Sequence, residues 1–210
     1  MHPPLGQPSR NLCICLSSLP DDLVETTGTV RVRGVTSYLN RVQRGLPDAH
    51  PALISDSQAI LAMMHEMDYS ADAVTRWVSR LTEVIAPLVT DNTILVCVPP
   101  STPRLYLSGV RLVTLATAIA LDIDFVDDGL IRTAPIGIST SRDRRDRALH
   151  QQSLAVNPAV AYRHVILVDD VLVSGTTLRA ATELLLHGGA RQVDPVSLAQ
   201  ACTVDHDNWD

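Results

Sequence analysis

Two adjacent carboxylates and a hydroxyl-rich turn make up the segment of this sequence best suited to chemistry. Asp169 and Asp170 follow four apolar residues, 165–168. The turn that comes after them contains Ser174, Gly175, Thr176 and Thr177. Neighbouring carboxylates accept hydrogen bonds from vicinal sugar hydroxyls. A glycine allows close backbone approach, and a helix that begins at the turn offers unpaired N–H groups to an anion. The segment therefore predicts a site for a sugar that carries a phosphate.

The elements that would hold this segment alternate between short apolar runs and helical periodicity. Such alternation is typical of buried parallel strands joined by crossover helices. We expect strands at residues 94–98, 123–126, 165–168 and 192–198, the last of which closes the sheet. We expect helices at residues 55–67, 70–89, 110–121 and 176–187, with Gly188 and Gly189 ending the last one. The fold class is therefore α/β, with a mostly parallel twisted sheet flanked by helices.

The chain divides into three parts by pattern. Residues 1–50 form an N-terminal extension of uncertain structure, in which 12–16 and 28–32 could be further strands or a hairpin. Residues 51–202 form the domain that contains the segment described above. Residues 203–210 form an acidic tail that we expect to be frayed.

Composition excludes several classes of function. The net charge of −6 and the seven aromatic residues argue against a nucleic-acid binder. Every basic residue is an arginine, so a phosphate-loop lysine, a Schiff-base lysine and a Ser-Lys dyad are excluded. The four cysteines match neither a disulfide framework nor a zinc site. No apolar run is long enough to span a membrane and no secretory signal is visible, so we expect a cytoplasmic protein without a membrane partner.

The carboxylate pair and turn resemble the signature of the type I phosphoribosyltransferases. That signature is an apolar strand, two acidic residues, two apolar residues, a variable position and then Ser/Thr-Gly-x-Ser/Thr. The resemblance implies that Asp169 and Asp170 hold the ribose hydroxyls of phosphoribosyl pyrophosphate. It further implies that the following loop wraps the phosphate of this substrate. This loop consists of Val173, Ser174, Gly175, Thr176 and Thr177. The expected ion is Mg²⁺, held mostly through substrate and water, with Asp169 and Asp170 as the protein groups nearest to it.

Two further segments match the family by their place in the chain. After the strand at 94–98, the family has a pyrophosphate-binding loop, here represented by Pro100, Ser101 and Arg104. The alternative for this segment is a proline-stiffened connection with a solvated arginine. The family also closes a basic loop over the substrate, and residues 139–152 occupy that position. Its arginines are Arg142, Arg144, Arg145 and Arg147, of which we assign Arg144 and Arg145 to catalysis.

The arginine-rich loop also has a simpler interpretation, a solvated face with internal ion pairs to Asp143 and Asp146. The functional interpretation rests on the leaving group, because departing pyrophosphate develops negative charge that guanidinium groups stabilise. A closed loop would also exclude water that hydrolyses the donor.

Within the superfamily, residues 94–198 are most similar to the ComF-like branch, without its zinc ribbon. The proline-containing loop, Gly109, the arginine-rich segment, the carboxylate pair and the Gly-Gly-Ala-Arg stretch from Gly188 carry this resemblance. Cys13 and Cys15 alone do not supply a zinc ribbon. The position at which the oxopurine-salvage relatives have a base-contacting aspartate is Val173 here, which disfavours that substrate class.

The resemblance implies a pentosyltransferase of nucleotide metabolism. The expected reaction transfers a phosphoribosyl group from phosphoribosyl pyrophosphate to a nitrogen nucleophile, a nucleobase or an amine, with release of pyrophosphate. The alternative is a regulatory or competence-type accessory protein that binds the same donor without catalysis. Trp77 on a predicted amphipathic helix is expected to serve packing, and a homodimer is left open.

Overall fold

A computed structural model of the chain describes residues 32–38, 51–64, 71–101, 108–136 and 147–201. Within these ranges five parallel strands form a sheet in the order β1-β7-β6-β2-β3. The strands are β1 (Arg33–Tyr38), β2 (Thr93–Cys97), β3 (Asp124–Phe125), β6 (His164–Leu172) and β7 (Gln192–Ala201). A separate antiparallel pair consists of β4 (Leu130–Arg132) and β5 (Leu154–Val156).

Helices lie on both faces of the sheet, as the apolar runs of its strands require. The described helices are α1 (Pro51–Met64), α2 (Ala71–Ile85), α3 (Gly109–Leu121), α4 (Arg147–Gln152) and α5 (Thr176–His187). Side chains of α1, α2 and α3 pack with one face of β2 and β6. Side chains of α5, β4 and β5 pack with the other face of the same two strands. No described helix is long and apolar enough to cross a lipid bilayer.

The two central strands alternate their side chains between these two cores. On β6, Ile166 and Val168 face the first core, whereas Val165 and Leu167 face the second. This alternation explains why residues 165–168 are all apolar, because neither face of this part of the strand meets water. Trp77 is fully buried in the first core, so its predicted packing role is confirmed.

The side on which the next strand joins the sheet reverses between β2 and β6. From β2 the chain continues through α3 to β3 on one side, and from β6 it continues through α5 to β7 on the other. Ligands in open α/β sheets bind beyond the carboxyl ends of the strands at such a switch point. The predicted carboxylate segment follows the buried part of β6 and therefore lies at this position.

Most predicted elements are confirmed, and two boundaries are wrong. The apolar segment at 165–168 does not end the strand, because β6 continues through Leu172 and pairs with β7 up to that residue. The segment at 192–198 does not close the sheet, because β1 lies outside β7 with Gly34 opposite Ser197. Strand β1 falls in the part of the chain assigned to an extension of uncertain structure. The segments at 12–16 and 28–32, predicted as further strands or a hairpin, and the tail lie outside the described residues, except for Val32, which is not part of a strand.

A buried carboxylate ties β1 to the two helices that precede β2. Asp56 on α1 accepts a hydrogen bond from Thr36 Oγ1 of β1 at 3.0 Å. It also forms ion pairs with Arg76 and with Arg80 of α2, the latter at 2.6 Å. Three elements distant in sequence therefore meet at one side chain that is 3% exposed.

Candidate functional site

The carboxylates of Asp169 and Asp170 lie where the sheet opens on one side. Strand β6 pairs with β2 only as far as Val168, opposite Cys97. The last link on that side is the hydrogen bond that Val98 N donates to the Val168 carbonyl at 2.8 Å. On the other side, pairing with β7 continues beyond the carboxylates. The strand that carries the two aspartates is therefore still paired with β7 but no longer with β2.

Both carboxylates are turned partly toward their own backbone. Asp169 Oδ1 accepts a hydrogen bond from the Asp170 N–H at 2.9 Å, and Asp170 Oδ1 accepts one from the Val171 N–H at 2.5 Å. Each carboxylate has a second oxygen, and an ionised carboxylate offers about four acceptor positions. The pair therefore keeps acceptor capacity for donors such as vicinal hydroxyls.

Burial raises the pKa of Asp169 well above its usual range, and the neighbouring Asp170 carboxylate raises it further. Burial is also the main cause of the raised pKa of Asp170. The Arg132 guanidinium acts in the opposite direction on the pKa of Asp169. Raised carboxyl pKa values of this kind are typical of binding sites in which a ligand compensates the buried negative charge.

The turn after β6 contains the residues that the sequence predicts to bind a phosphate. Gly175 is buried with φ at 71°, a left-handed backbone that glycine adopts without strain, and it caps the N-terminus of α5. Ser174 Oγ lies 2.9 Å from Thr176 Oγ1. Ser174 Oγ also accepts from the Thr176 N–H at 3.4 Å, so two hydroxyls and the first N–H of α5 lie together where the helix begins, a grouping that can bind an anion. Val173 is 71% exposed, so its backbone belongs to the turn while its side chain is largely solvated.

A buried arginine organises the segment that follows β2, and the sequence analysis did not single it out. Arg132 on β4 donates from Nε to the Pro100 carbonyl at 3.1 Å and from Nη2 to the Pro99 carbonyl at 3.2 Å. The Ser101 carbonyl accepts from the Ile136 N–H at 3.0 Å. The backbone of Pro100 and Ser101 is therefore attached to the β4 side of the site. No local pattern identifies Arg132, because its partners lie about 30 positions away in the chain.

A histidine lies directly behind the phosphate turn. His150 on α4 is buried, and its Nδ1 is 3.3 Å from Thr177 Oγ1. The His150 carbonyl accepts from Ser153 Oγ at 2.9 Å, and Ser153 Oγ accepts from Arg132 Nη1 at 2.6 Å. The sequence analysis placed His150 only within the basic loop segment and gave it no role.

Several predicted site residues lie outside the described part of the chain. These are Arg104, Arg142, Arg144 and Arg145. Arg147 of the same segment is described, and it begins α4 and forms an ion pair with Glu183 of α5 at 3.0 Å. That contact places Arg147 on the outer side of α4, so the simpler interpretation as an ion-paired surface residue applies to it.

The residues present fit a magnesium ion that is held mainly through its substrate. No group of three or more potential ligands is found among the described residues. Asp169 and Asp170 offer carboxylate oxygens, which Mg²⁺ prefers, and the ion usually retains several waters. Cys97, also near the pair, has its pKa raised by burial and by the two carboxylates, and it donates to the Val98 carbonyl at 3.4 Å.

Comparison with protein families matches residues 113–207 to the phosphoribosyl transferase domain. The match includes the carboxylates of β6, the turn and α5. The matched stretch spans just under half of the chain and is similar to that domain. This similarity supports the type I superfamily predicted from the carboxylate signature, and the mostly parallel α/β fold is confirmed.

The domain is similar to curated proteins over about half of its chain. The bifunctional protein PyrR 2 of Lactiplantibacillus plantarum is 37% identical over 99 residues, which cover 45% of this chain and 53% of that protein. The bifunctional protein PyrR of Limosilactobacillus reuteri is 35% identical over 100 residues, or 45% and 54% of the two chains. The chain thus spans about half the length of the curated relatives it matches.

Among solved structures, the hypoxanthine phosphoribosyltransferase of Staphylococcus aureus aligns with 62% of this chain and 66% of its own. The sequence identity is 13% and the TM-score is 0.42.

Proposed function

We propose that this protein transfers a phosphoribosyl group from phosphoribosyl pyrophosphate to a nitrogen nucleophile and releases pyrophosphate. The observation that carries the proposal is the arrangement at the switch point of the sheet. There, two carboxylates on β6 precede a left-handed glycine turn that opens α5. The match of this segment to the phosphoribosyl transferase domain supports the same reaction class.

Asp169 and Asp170 bind the ribose in this proposal. Their free acceptor positions take the two vicinal ribose hydroxyls, while their backbone contacts restrict the carboxylate rotamers. A sugar that loses pyrophosphate develops positive charge at the anomeric carbon, and the nearby carboxylates stabilise that charge. Binding of the neutral hydroxyls also replaces the hydrogen bonds that burial removes from the carboxylates.

The phosphate turn binds the other end of the donor. Ser174, Thr176 and Thr177 supply hydroxyl donors, and α5 supplies the N–H groups of its first turn and the positive end of its dipole. Only Val171 and Leu172 lie between the carboxylates and the turn that begins at Val173. A five-carbon sugar phosphate therefore reaches both subsites without a large movement of the chain.

In this proposal, the pyrophosphate leaving group binds beside the segment that follows β2. Pro100 and Ser101 follow β2 and are held by contacts with Arg132 and Ile136. Arg104, Arg144 and Arg145 are proposed to contact the pyrophosphate, since guanidinium groups bind phosphate oxygens in a bidentate manner. Mg²⁺ would be held through substrate oxygens near Asp169 and Asp170, where it neutralises charge on the leaving pyrophosphate.

The acceptor is a nucleobase or an amine. The variable position of the signature, Val173, has an apolar and mostly exposed side chain, so no carboxylate from this position assists an acceptor nitrogen. Catalysis then depends on positioning and charge stabilisation more than on a strong base. The ComF-like layout, the cytoplasmic setting and the homodimer stay predictions.

A second candidate function is donor sensing without transfer. The two curated relatives are named bifunctional proteins, and this name favours a second role beside group transfer for proteins with this domain. In that case the carboxylates and the turn would keep their affinity for the donor, while no acceptor would be consumed.

Titration calorimetry with phosphoribosyl pyrophosphate and Mg²⁺ tests the binding site. Pyrophosphate release across a panel of nucleobases and amines then separates an enzyme from a sensor. We expect binding and release with at least one acceptor. Binding without release from any acceptor would favour the sensor, and absence of binding would overturn both candidates.

A further inference from the structure

We propose that Arg132, Ser153 and His150 are positioning residues that hold the two anion subsites of the site at a fixed spacing. They form one hydrogen-bonded path between the Pro99-Pro100 segment and the phosphate turn. This inference rests on the proposed function, because it assigns the pyrophosphate to one end of the path and the sugar phosphate to the other. None of the three residues needs to touch the ligand.

Arg132 forms the end of the path at the pyrophosphate subsite. Its three nitrogens each have a different acceptor, the Pro100 carbonyl, the Pro99 carbonyl and Ser153 Oγ. Because a guanidinium is planar and its donors have fixed directions, these contacts fix the segment after β2 relative to β4. Burial lowers the pKa of Arg132, and the Asp169 carboxylate counteracts that effect. A buried cation is costly unless it is well bonded, so this arrangement is specific to an arginine with these partners.

Ser153 forms the middle of the path. Its Oγ accepts from Arg132 and donates to the His150 carbonyl, so both functions of one buried hydroxyl are used. Ser153 lies between α4 and β5 and has no described contact with the carboxylates or with the phosphate turn. Substitution of Ser153 should therefore break the hydrogen-bonded path without altering a residue of either subsite.

His150 forms the end of the path at the phosphate subsite. Thr177 Oγ1 has a single proton, which is available to a phosphate only when His150 Nδ1 does not accept it. A proton on His150 Nδ1 makes the imidazole the donor to Thr177 Oγ1, which lies 3.3 Å away. In this tautomer the imidazole orients the threonine hydroxyl toward the ligand. The role differs from simple packing because it predicts an effect on ligands that carry the phosphate.

The expected consequence concerns ligands that occupy both subsites at once. When two binding groups are joined, the second binds with an effective concentration set by how well the two subsites match the spacing of the ligand. Looser spacing lowers this effective concentration even when each subsite keeps its own affinity. Interruption of the path should therefore weaken the whole donor more than its separate halves.

The experiment measures calorimetric affinity for three probes in the presence of Mg²⁺. The probes are phosphoribosyl pyrophosphate, inorganic pyrophosphate and ribose 5-phosphate. For Ser153→Ala we expect about a 10-fold loss of affinity for the whole donor and less than about a twofold loss for each half. The control is Thr117→Val, which removes a buried hydroxyl of α3 that has no described partner and should leave all three affinities unchanged.

A second pair of variants keeps the inference testable if Ser153→Ala does not fold. His150→Ala should weaken ribose 5-phosphate and the whole donor by about 5-fold and leave pyrophosphate unchanged, because only the phosphate-bearing ligands use Thr177. His150→Asn should restore most of the loss, because its amide N–H can replace Nδ1.

The inference would be overturned if Ser153→Ala weakened the donor by no more than the product of the losses for its halves. Equal losses for His150→Ala and His150→Asn, or a loss for pyrophosphate as well, would also contradict it. If the unmodified protein binds none of the three probes, the proposed function fails. If it binds them and the variants behave like it, only this inference fails.

Discussion

Asp169 Oδ1 and the N–H of Asp170 are joined by a hydrogen bond of 2.9 Å, so the first carboxylate of the pair is held by the backbone of the second. This contact favours the ionised form of Asp169, but burial and the second carboxylate outweigh it. The protein therefore maintains a carboxylate pair that is more costly to ionise in the folded chain than in the unfolded chain. This cost leads to a prediction about stability.

Asp169→Asn should stabilise the protein at neutral and mildly alkaline pH. Because the folded-state pKa of Asp169 is raised above its ordinary value of 3.8, the folded chain binds more protons than the unfolded chain between these two pKa values. The stability from this group is fully present below the unfolded pKa and is lost as pH rises through the folded pKa. Asparagine does not titrate and avoids this loss. We expect the variant to have a higher Tm than the unmodified protein at pH 8 and a smaller difference in Tm at pH 4. Each kcal/mol in the free energy of unfolding corresponds to about 2–4 °C in Tm. An equal difference at both values would contradict the prediction.

The double variant Asp169→Asn, Asp170→Asn should lose donor binding while it keeps its fold. An amide group has one acceptor oxygen where a carboxylate has two, and it lacks the charge that strengthens hydrogen bonds to ribose. We expect at least about a 100-fold loss of affinity for phosphoribosyl pyrophosphate in titration calorimetry. Circular dichroism checks the fold. Unchanged affinity would refute the assignment of the carboxylates to the ribose.

Gly175→Ala should impair phosphate binding beyond its effect on stability. A Cβ on a backbone with φ at 71° costs about 1–2 kcal/mol and obstructs the approach of an anion to the turn. The matched control is Gly189→Ala, at φ 93° beyond the other end of α5. Both variants should have a lower Tm, but only the first should lose donor affinity. Similar affinities in the two variants would count against the phosphate turn.

Arg144→Ala with Arg145→Ala should lower kcat at least about 10-fold and change KM much less, because charge on the leaving pyrophosphate develops in the transition state. Arg147→Ala is the control in the same segment, because its guanidinium is committed to Glu183 at 3.0 Å. Steady-state pyrophosphate release measures both. A double variant with the kcat of the control would remove these arginines from the mechanism.

Asp56→Ala should lower the free energy of unfolding by about 2 kcal/mol. The variant removes the acceptor for Thr36, Arg76 and Arg80, and so separates β1 from α1 and α2. The loss is smaller than for a fully buried ion pair, because the arginine side chains are 40% and 35% exposed and regain water. Urea unfolding gives the value. Donor affinity of the folded variant should be unchanged, since Asp56 has no described contact with the site.

The central strands and the phosphate turn could be predicted because their signals are local. Four apolar residues before Asp169 require burial on both faces, and Gly175 next to hydroxyl residues requires a turn. Strand β6 continues past the predicted end because β7 still pairs with it there. A single strand contains no information about the length of its neighbour, so this boundary could not be predicted.

The supporting residues of the site could not be predicted because their signals are distant in sequence. Arg132 is one polar residue on a three-residue strand, and its role depends on carbonyl groups that follow β2. His150 is part of a basic segment and acquires a neighbour in Thr177 only when α4 packs beside α5. Strand β1 has no turn or helix signal of its own, and its position is set by its pairing with β7.

The position of β1 also affects how the chain is made. The partner strand β7 is synthesised more than 150 residues after β1. Until β7 has been made, β1 carries unpaired backbone groups, which are prone to associate with other chains. A ribosome that stalls between the two strands would therefore release a product whose β1 edge is uncovered, and such a fragment should be a target for proteases and chaperones. The parallel pairing of β1 with β7 thus makes the covering of this edge depend on synthesis of nearly all of the described residues.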